Sequence, residues 1–334
     1  MKYLLKSDYR KKRVSRLLLP ILACSAAAVL LSGCGGSSLE EPYSFAERAG
    51  NMGVAEGSAS LTPLFASALC VVDKETKDAG TELTAEAGAL FNITDGTVLY
   101  SKNVFEELYP ASITKVMTAI LAIEEGELSD EVTVTRDAVI TEAGASLAGI
   151  KPGDTLTMEQ LLYGLMIPSG NDAANAIAVH MSGSMEAFAE RMNERARELG
   201  ATHTHFKNPN GLTDPEHYTT AYDLYLIFNE ALKLPKFREI IGADSYTASY
   251  RDADGNTVSK TWNVGNWYQK GEEETPQGVT VLGGKTGTTQ AAGYCLIMAE
   301  RDEDGREYIS VVLKAENRQG LYDNMTNIIT KIVD

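Results

Sequence analysis

The sequence predicts an α/β fold in two lobes, with an antiparallel sheet covered by helices beside an all-helical insertion lobe. Three observations predict it. Apolar, strand-like runs broken by turn signals lie at 87–101 and again at 279–314. A block of helix-like patterns fills most of the interval between them. No internal repeat is visible. A sheet assembled from both ends of the folded part, with a helical lobe packed against it, leaves a cleft where the lobes meet, the usual place for a ligand site.

Taken in order, Ala87 to Ser101 reads as two β-rich runs around Asp95-Gly96, a strong hairpin signal. From Ser112 the run SITKVMTAILAIEEG reads as a helix, with Ser112 as its cap and Val116, Ile120 and Leu121 on one face. Thr157-Met158-Glu159-Gln160 is a capping-box pattern before a helix that stops at Pro168. Asp172 to Met181, Ser184 to Leu199 (closed by Gly200) and Thr220 to Leu234 read as three more helices. Residues 240–278 are mixed, with a turn at Asp254-Gly255. Val279–Leu282, Tyr294–Ala299 and Tyr308–Lys314 read as strands, the last two flanking Asp304-Gly305, and Leu321–Val333 reads as a terminal helix.

The chain has 334 residues, 44% hydrophobic and 23% charged, which excludes wholesale disorder and a multi-span membrane protein. Its net charge of −16 makes nucleic acid an unsuitable partner. The charge is unevenly placed: residues 1–33 hold seven Lys and Arg against Asp8 alone, a net +6, which leaves −22 on the remainder. That basic start, an apolar stretch from Leu17 to Leu31 and small residues after it describe a secretory signal, too short for a spanning helix. Leu31-Ser32-Gly33-Cys34 resembles the lipobox of bacterial lipoproteins, in which the Cys is lipidated. The expected organisation is a signal peptide at 1–33, a Gly-, Ser- and Glu-rich tether at 34–60 carrying lipid on Cys34, and a folded domain at 61–334. The competing reading is an uncleaved signal anchor. Both place the folded domain outside the cytoplasm.

Cys24 falls in the apolar stretch. Cys70 and Cys295 lie in strand-like runs and read either as a disulfide or as two separate buried thiols. No CxxC or Cys/His cluster is present, none of His180, His203, His205 and His217 sits in a zinc-protease pattern, and Asp252–Asn256 reads as a turn rather than a calcium loop. No metal or cofactor is expected.

Three short motifs carry the chemistry. Ser112-Ile113-Thr114-Lys115 is S-x-x-K at a helix start, Ser169-Gly170-Asn171 is S-x-N between two helices, and Lys285-Thr286-Gly287 is K-T-G after a strand. A serine hydroxyl needs a base to become a nucleophile. Helix positions three apart share a face, so Lys115 can reach the Ser112 oxygen. A lysine acts as a base only when neutral, which requires burial or a second cation nearby.

On these motifs, and on LYPASITKVMTA, GIKPGD, LLYGLMIPSGNDAA, FKNPNGL, HYTTAYDL and GGKTGTTQAAGYC, the chain over about 85–334 resembles the serine-type D-alanyl-D-alanine carboxypeptidases, the low-molecular-mass penicillin-binding proteins of the peptidase S11 type. The resemblance implies a β-lactamase/transpeptidase-like fold. It implies removal of the terminal D-Ala from peptidoglycan stem peptides ending D-Ala-D-Ala, through an acyl-enzyme on Ser112, and acylation by β-lactams. It assigns Lys115 as base, Lys285 as the second cation, Ser169 as proton relay to the leaving amine, Asn171 to orienting Lys115 and the substrate amide, and the backbone N–H groups of Ser112 and Thr288 to the oxyanion hole. Thr286, Gly287 and Thr288 line the substrate strand, with Gly283, Gly284 and Gly287 giving it clearance. His217 is read as packing.

Two departures stand out. Relatives often carry an Arg after the last strand for the substrate carboxylate. A gapless comparison puts Leu321 there, so Arg318 is nominated, with Lys314 near. Many relatives also have a further β-rich domain and an anchoring helix; the chain ends at Asp334, and a lipid on Cys34 is expected to replace that anchor. Three alternatives stay open: a class A-like β-lactamase, for which no E-x-x-L-N string follows Ser169-Gly170-Asn171, a non-catalytic penicillin-sensing or peptidoglycan-binding lipoprotein, and endopeptidase action on D-Ala cross-links.

Overall fold

Asn92 closes the first hairpin. Its side-chain oxygen accepts the backbone N–H groups of Thr94 and Asp95, and Gly96 takes the left-handed conformation the turn requires. The turn joins Ala87–Asn92 (β1) to Thr97–Lys102 (β2). This is a computed structural model that describes residues 69–73 and 83–333. The chain divides after Thr62 into two units, and every described residue belongs to the second. The expected signal peptide, Cys34 and the expected tether lie outside the described residues. Among the described residues no helix is long and apolar enough to cross a membrane.

β1 is buried at all six positions because both faces of its sheet are covered. Its other neighbour is Glu307–Ala315 (β9), followed outward by Gly293–Arg301 (β8) and Thr280–Thr289 (β7), all antiparallel. The two ends of the folded part thus meet at the centre of one sheet, as expected. On one face Ala89, Phe91, Ile297 and Val311 join the core of Lys115–Glu124 (α1) and Ala221–Ala231 (α5). On the other, Leu90, Leu296 and Val312 pack against Tyr322, Met325 and Ile328 of Arg318–Thr330 (α8).

The helices form where caps and periodicity place them. Thr157 and Gln160 make the full reciprocal capping box of Met158–Met166 (α2). Ser184 caps Met185–Glu198 (α4), and Thr220 caps α5. Asn171–Ser182 (α3) is rich in alanine and packs closely in the core. Pro235–Ile241 (α6) and Trp267–Lys270 (α7) complete the set.

The insertion lobe is not all-helical. It carries a second antiparallel sheet of Glu131–Thr133 (β3), Thr155–Thr157 (β4), Ser245–Arg251 (β5) and Thr257–Asn263 (β6). β3 and β4 are three residues each, too short to show a period. β5 and β6 bury only Ala248, Tyr250 and Trp262, too few apolar side chains to mark strands. The β5–β6 turn is closed by Asp252, which accepts the backbone N–H groups of Asp254 and Asn256. Cys70 and Cys295 are separate buried thiols.

Candidate active site

Tyr109 and Pro110 end the extended chain, and Ala111–Thr114 turns once as a 3-10 helix before α1. Ser112 therefore sits inside this turn and does not cap the helix. Ala111 holds a left-handed φ of 47°, a conformation rarely taken by residues with a side chain. Three residues on, the Lys115 ammonium group lies 2.9 Å from Ser112 Oγ, 2.6 Å from Asn171 Oδ1 and 2.6 Å from the Asn210 carbonyl oxygen.

Lys115 is fully buried, and burial first and the charge of Lys285 second push its pKa well down. Lys285 is 2% exposed, and burial lowers it to about 7. Its ammonium nitrogen lies 2.9 Å from Ser169 Oγ and 2.8 Å from the Thr286 carbonyl oxygen. Ser169 also holds a left-handed φ, of 60°, in the turn between α2 and α3. Strain of this kind persists only where surrounding structure holds it, and it concentrates at functional sites. The surroundings are visible: Gly170 N–H bonds the Gly164 carbonyl and Asn171 N–H bonds the Ser146 carbonyl.

K-T-G lies within β7 rather than after it, and β7 is the edge strand of its sheet. Gly287 has a packing reason. A Cβ there would stand 2.9 Å from the Pro110 oxygen and 3.0 Å from the Ser112 nitrogen. Gly283 and Gly284 likewise face the backbones of Ile241 and Ile297. These glycines fit the strand to its neighbours, which differs from the clearance for substrate expected of them.

A cleft of about 560 Å³ opens over this arrangement, lined by Ser112, Asn171, Thr288 and three loop segments at 142–146, 211–213 and 289–291. Lys115 and Lys285 lie beneath the lining. Ser112, Lys115 and Asn171 thus form one hydrogen-bonded group, Lys285 and Ser169 a second, and Gly287 and Thr288 border Ser112. Arg318 stands apart: its guanidinium lies 5.9 Å over the Trp267 ring, which stacks on Tyr322 in the core under α8, across the sheet from α1. It is not among the cleft residues, because it opens a helix packed on the opposite sheet face.

Sequence reasoning missed the 206–212 loop as a contributor. Asn208 accepts the N–H groups of Asn210 and Gly211, which aims the Asn210 carbonyl at Lys115. The NPNG turn signal was there to read, but a backbone acceptor leaves no side-chain signature. Asp172 was read only as helix start, yet its buried carboxylate accepts the N–H groups of Ala148, Gly149 and Ile150 and fixes the loop that borders the cleft. His217 is buried behind the turn that carries Ser112. Lys207 N–H donates to its Nδ1, so Nε2 carries the proton and donates to Thr114 Oγ1 at 2.8 Å. Burial lowers His217 to about 4, so it stays neutral near pH 7.

The family profile for D-alanyl-D-alanine carboxypeptidase, peptidase S11, matches residues 73–317. The chain belongs to that family. It is 38% identical to the D-alanyl-D-alanine carboxypeptidase DacF of Bacillus subtilis over 237 residues, covering 69% of this chain and 57% of that protein. It is 33% identical to DacC of Escherichia coli over 289 residues, covering 83% of this chain and 68% of that one. The solved Streptomyces K15 DD-transpeptidase superposes with a TM-score of 0.69 at 32% identity, over 77% of this chain and 98% of that one. The D-alanyl-D-alanine carboxypeptidase DacD of Francisella tularensis superposes with a TM-score of 0.67 at 25% identity, over 79% and 74%.

Proposed function

We propose that this chain is a serine-type D-alanyl-D-alanine carboxypeptidase that removes the terminal D-Ala from peptidoglycan stem peptides and is acylated by penicillins. The observation that carries the reading is the 2.9 Å contact between a fully buried lysine and the Ser112 hydroxyl. Neutral Lys115 takes the Ser112 proton as Oγ attacks the carbonyl carbon of the D-Ala-D-Ala bond. The backbone N–H groups of Ser112 and Thr288 hold the oxyanion; the close approach of Gly287 to the Ser112 nitrogen brings their two segments together. The C–N bond then breaks, and the proton that Lys115 took passes through Ser169, which is hydrogen-bonded to Lys285, to the departing amine, leaving Lys115 neutral again. Water attacks the acyl-enzyme, neutral Lys115 takes its proton, and that proton returns to Ser112 Oγ as the ester C–O bond breaks. Asn171 keeps Lys115 on Ser112 and leaves its amide N–H₂ for the substrate backbone, which adds as a strand along the β7 edge. Thr286 and Thr288 offer hydroxyls to the substrate carboxylate.

Export and a lipid on Cys34 belong to the same reading, supported by the basic start, the apolar stretch and the lipobox-like end of residues 1–34. They place the domain on the outer face of the cytoplasmic membrane. The test uses residues 35–334 and the Ser112→Ala variant with a fluorescent penicillin and a diacylated Lys-D-Ala-D-Ala peptide. The expected result is a persistent covalent label and freed D-Ala, both lost in Ser112→Ala. Rapid release of hydrolysed penicillin points instead to a β-lactamase, and labelling without D-Ala release to a sensor. A second reading, transfer of the acyl group to an amine, draws on the solved Streptomyces neighbour, a DD-transpeptidase by name. Adding glycine to the assay separates the two by the mass of the product.

A further inference from the structure

The chain from 206 to 217 is a loop closed at its neck, where His205 and Tyr218 pair through two backbone hydrogen bonds of 2.9 and 3.0 Å. The loop lies along the start of α1 and is tied there at successive positions. Thr118 Oγ1 donates to the Pro209 carbonyl at 2.6 Å, Lys115 donates to the Asn210 carbonyl at 2.6 Å, and the Thr114 hydroxyl meets His217 Nε2 at 2.8 Å. The first two ties end on backbone carbonyls, which any residue supplies. The third ends on a side chain, so it is the tie that depends on residue type.

His217 suits that place. It is 1% exposed, and its ring stands edge-on to Phe206, with 5.6 Å between centroids. Its Nδ1 accepts the Lys207 N–H at 3.2 Å, which gathers the two ends of the loop and leaves the proton on Nε2 for Thr114. Thr114 stands next to Lys115 and two residues from Ser112. Only a neutral ring makes both bonds, because a proton on Nδ1 would face the Lys207 N–H. Burial outweighs the Asp214 carboxylate, which favours a charge on the ring, while His205 and Lys115 oppose one.

We propose that His217 is a positioning residue for Lys115: it latches the 206–217 loop to the turn that carries Ser112, and so keeps the Asn210 carbonyl on the lysine amine. The proposal rests on the peptidase reading above. A neutral lysine amine has two hydrogens and one lone pair. With the hydrogens on the Asn171 and Asn210 oxygens, the lone pair is left for the Ser112 proton. Without the latch the amine loses one acceptor, its lone pair turns from Ser112, and water reaches it.

The test measures kcat and KM for D-Ala release, and the rate of labelling by a fluorescent penicillin, on the full-length protein and its variants. His217→Leu removes both hydrogen bonds of the ring, and Thr114→Val removes its partner hydroxyl. Each should slow labelling and kcat about tenfold while KM stays within about twofold, the signature of a misplaced reacting group. The double variant should be no slower than the slower single one, since both cut the same tie. His217→Gln keeps a donor toward Thr114 and should restore most of the rate. The acid limb of the kcat/KM profile, which follows Lys115, should move to higher pH in Thr114→Val. Burial is the first cause of the low Lys115 pKa, ahead of the Lys285 charge and against that of Asp172, and a loosened loop undoes burial. Met325→Ala, in the core under α8, should lower the melting temperature and leave rates and acid limb alone. Unchanged rates in Thr114→Val, an unmoved acid limb, or equal losses in Met325→Ala overturn the proposal while the peptidase reading stands. If His217→Leu does not fold, Thr114→Val and His217→Gln decide the same question. An unmodified protein that neither takes the label nor frees D-Ala brings down both.

Discussion

Gly211 packs so closely on Ala111 that a methyl group on the glycine would stand 1.9 Å from the alanine carbonyl oxygen. Gly211 also holds a φ of +87°. The loop that aims the Asn210 carbonyl at Lys115 is thereby pressed against the turn that carries Ser112. Gly211→Ala is expected to cost about 2 to 4 kcal/mol, from the disfavoured φ and the overlap together. It is also expected to lower kcat at least tenfold, because loop and turn must separate. Thermal melting and D-Ala release check both. A variant that melts lower but keeps its kcat would show that the loop supports the fold and not the lysine.

Two buried ammonium groups set the pH dependence. In the proposed mechanism Lys115 works only when neutral, and burial plus the Lys285 charge push its pKa well down. Activity therefore rises with pH as Lys115 loses its proton. In the proposed mechanism Lys285 works as a cation, and burial brings it to about 7, so activity is expected to fall as pH passes that value. The expected kcat/KM profile is a bell whose alkaline limb lies near neutrality and reports the free protein. Lys285→Arg keeps the positive charge at all practical pH values. Its profile should lose the alkaline limb even though its maximum rate is lower. An alkaline limb unmoved in that variant would assign it to another group.

Much of this was legible in the chain and some was not. The β1–β2 and β8–β9 hairpins were readable because Asp-Gly turns punctuate apolar runs, and α2 because Thr157 and Gln160 satisfy each other's backbone. The trio of Ser112, Lys115 and Asn171 was readable as motif and spacing. The second sheet was not, since β3 and β4 are shorter than one period and β5 and β6 face solvent along most of their length. Arg318 was misplaced because a gapless count cannot tell which face of the sheet the last helix covers. The Asn210 acceptor was invisible because backbone groups carry no residue signature, and the left-handed φ of Ala111 and Ser169 because neither is glycine.

Asp172 ties the cleft border to α3. Asp172 is 4% exposed, and its carboxylate accepts four N–H groups, from Ala148 at 2.7 Å, Gly149 at 2.7 Å, Ile150 at 3.1 Å and, in its own helix, Ala173 at 3.0 Å. Asp172→Ala leaves those donors buried and unpaired and should destabilise the domain by about 3 kcal/mol. Asp172→Asn keeps one acceptor oxygen and should fold, with a loosened 142–150 loop. For that variant KM for the peptide should rise severalfold while kcat holds, since the loop borders the cleft and does not touch Lys115. Equal loss in kcat would place Asp172 closer to the chemistry than this geometry does.

Glu300 is a buried carboxyl that the proposed chemistry does not use. It lies in β8 under α8, fully inaccessible, hydrogen-bonded through one oxygen to the Ser310 hydroxyl; the other oxygen has no partner among the described residues. Burial raises it to about 8, so the folded protein keeps the proton that the unfolded chain releases near 4.3. Between those values the unfolded state binds fewer protons, and stability falls as pH rises. The loss should level off above about 8, at on the order of 5 kcal/mol. His217 acts in the opposite sense at lower pH: held near 4 when folded, it costs stability as pH falls below about 6.5. Glu300→Gln removes the first effect and leaves the second. Its melting temperature should exceed that of the unmodified protein by more at pH 8 than at pH 5. A constant offset across that range would mean that Glu300 is not holding a proton in the folded state.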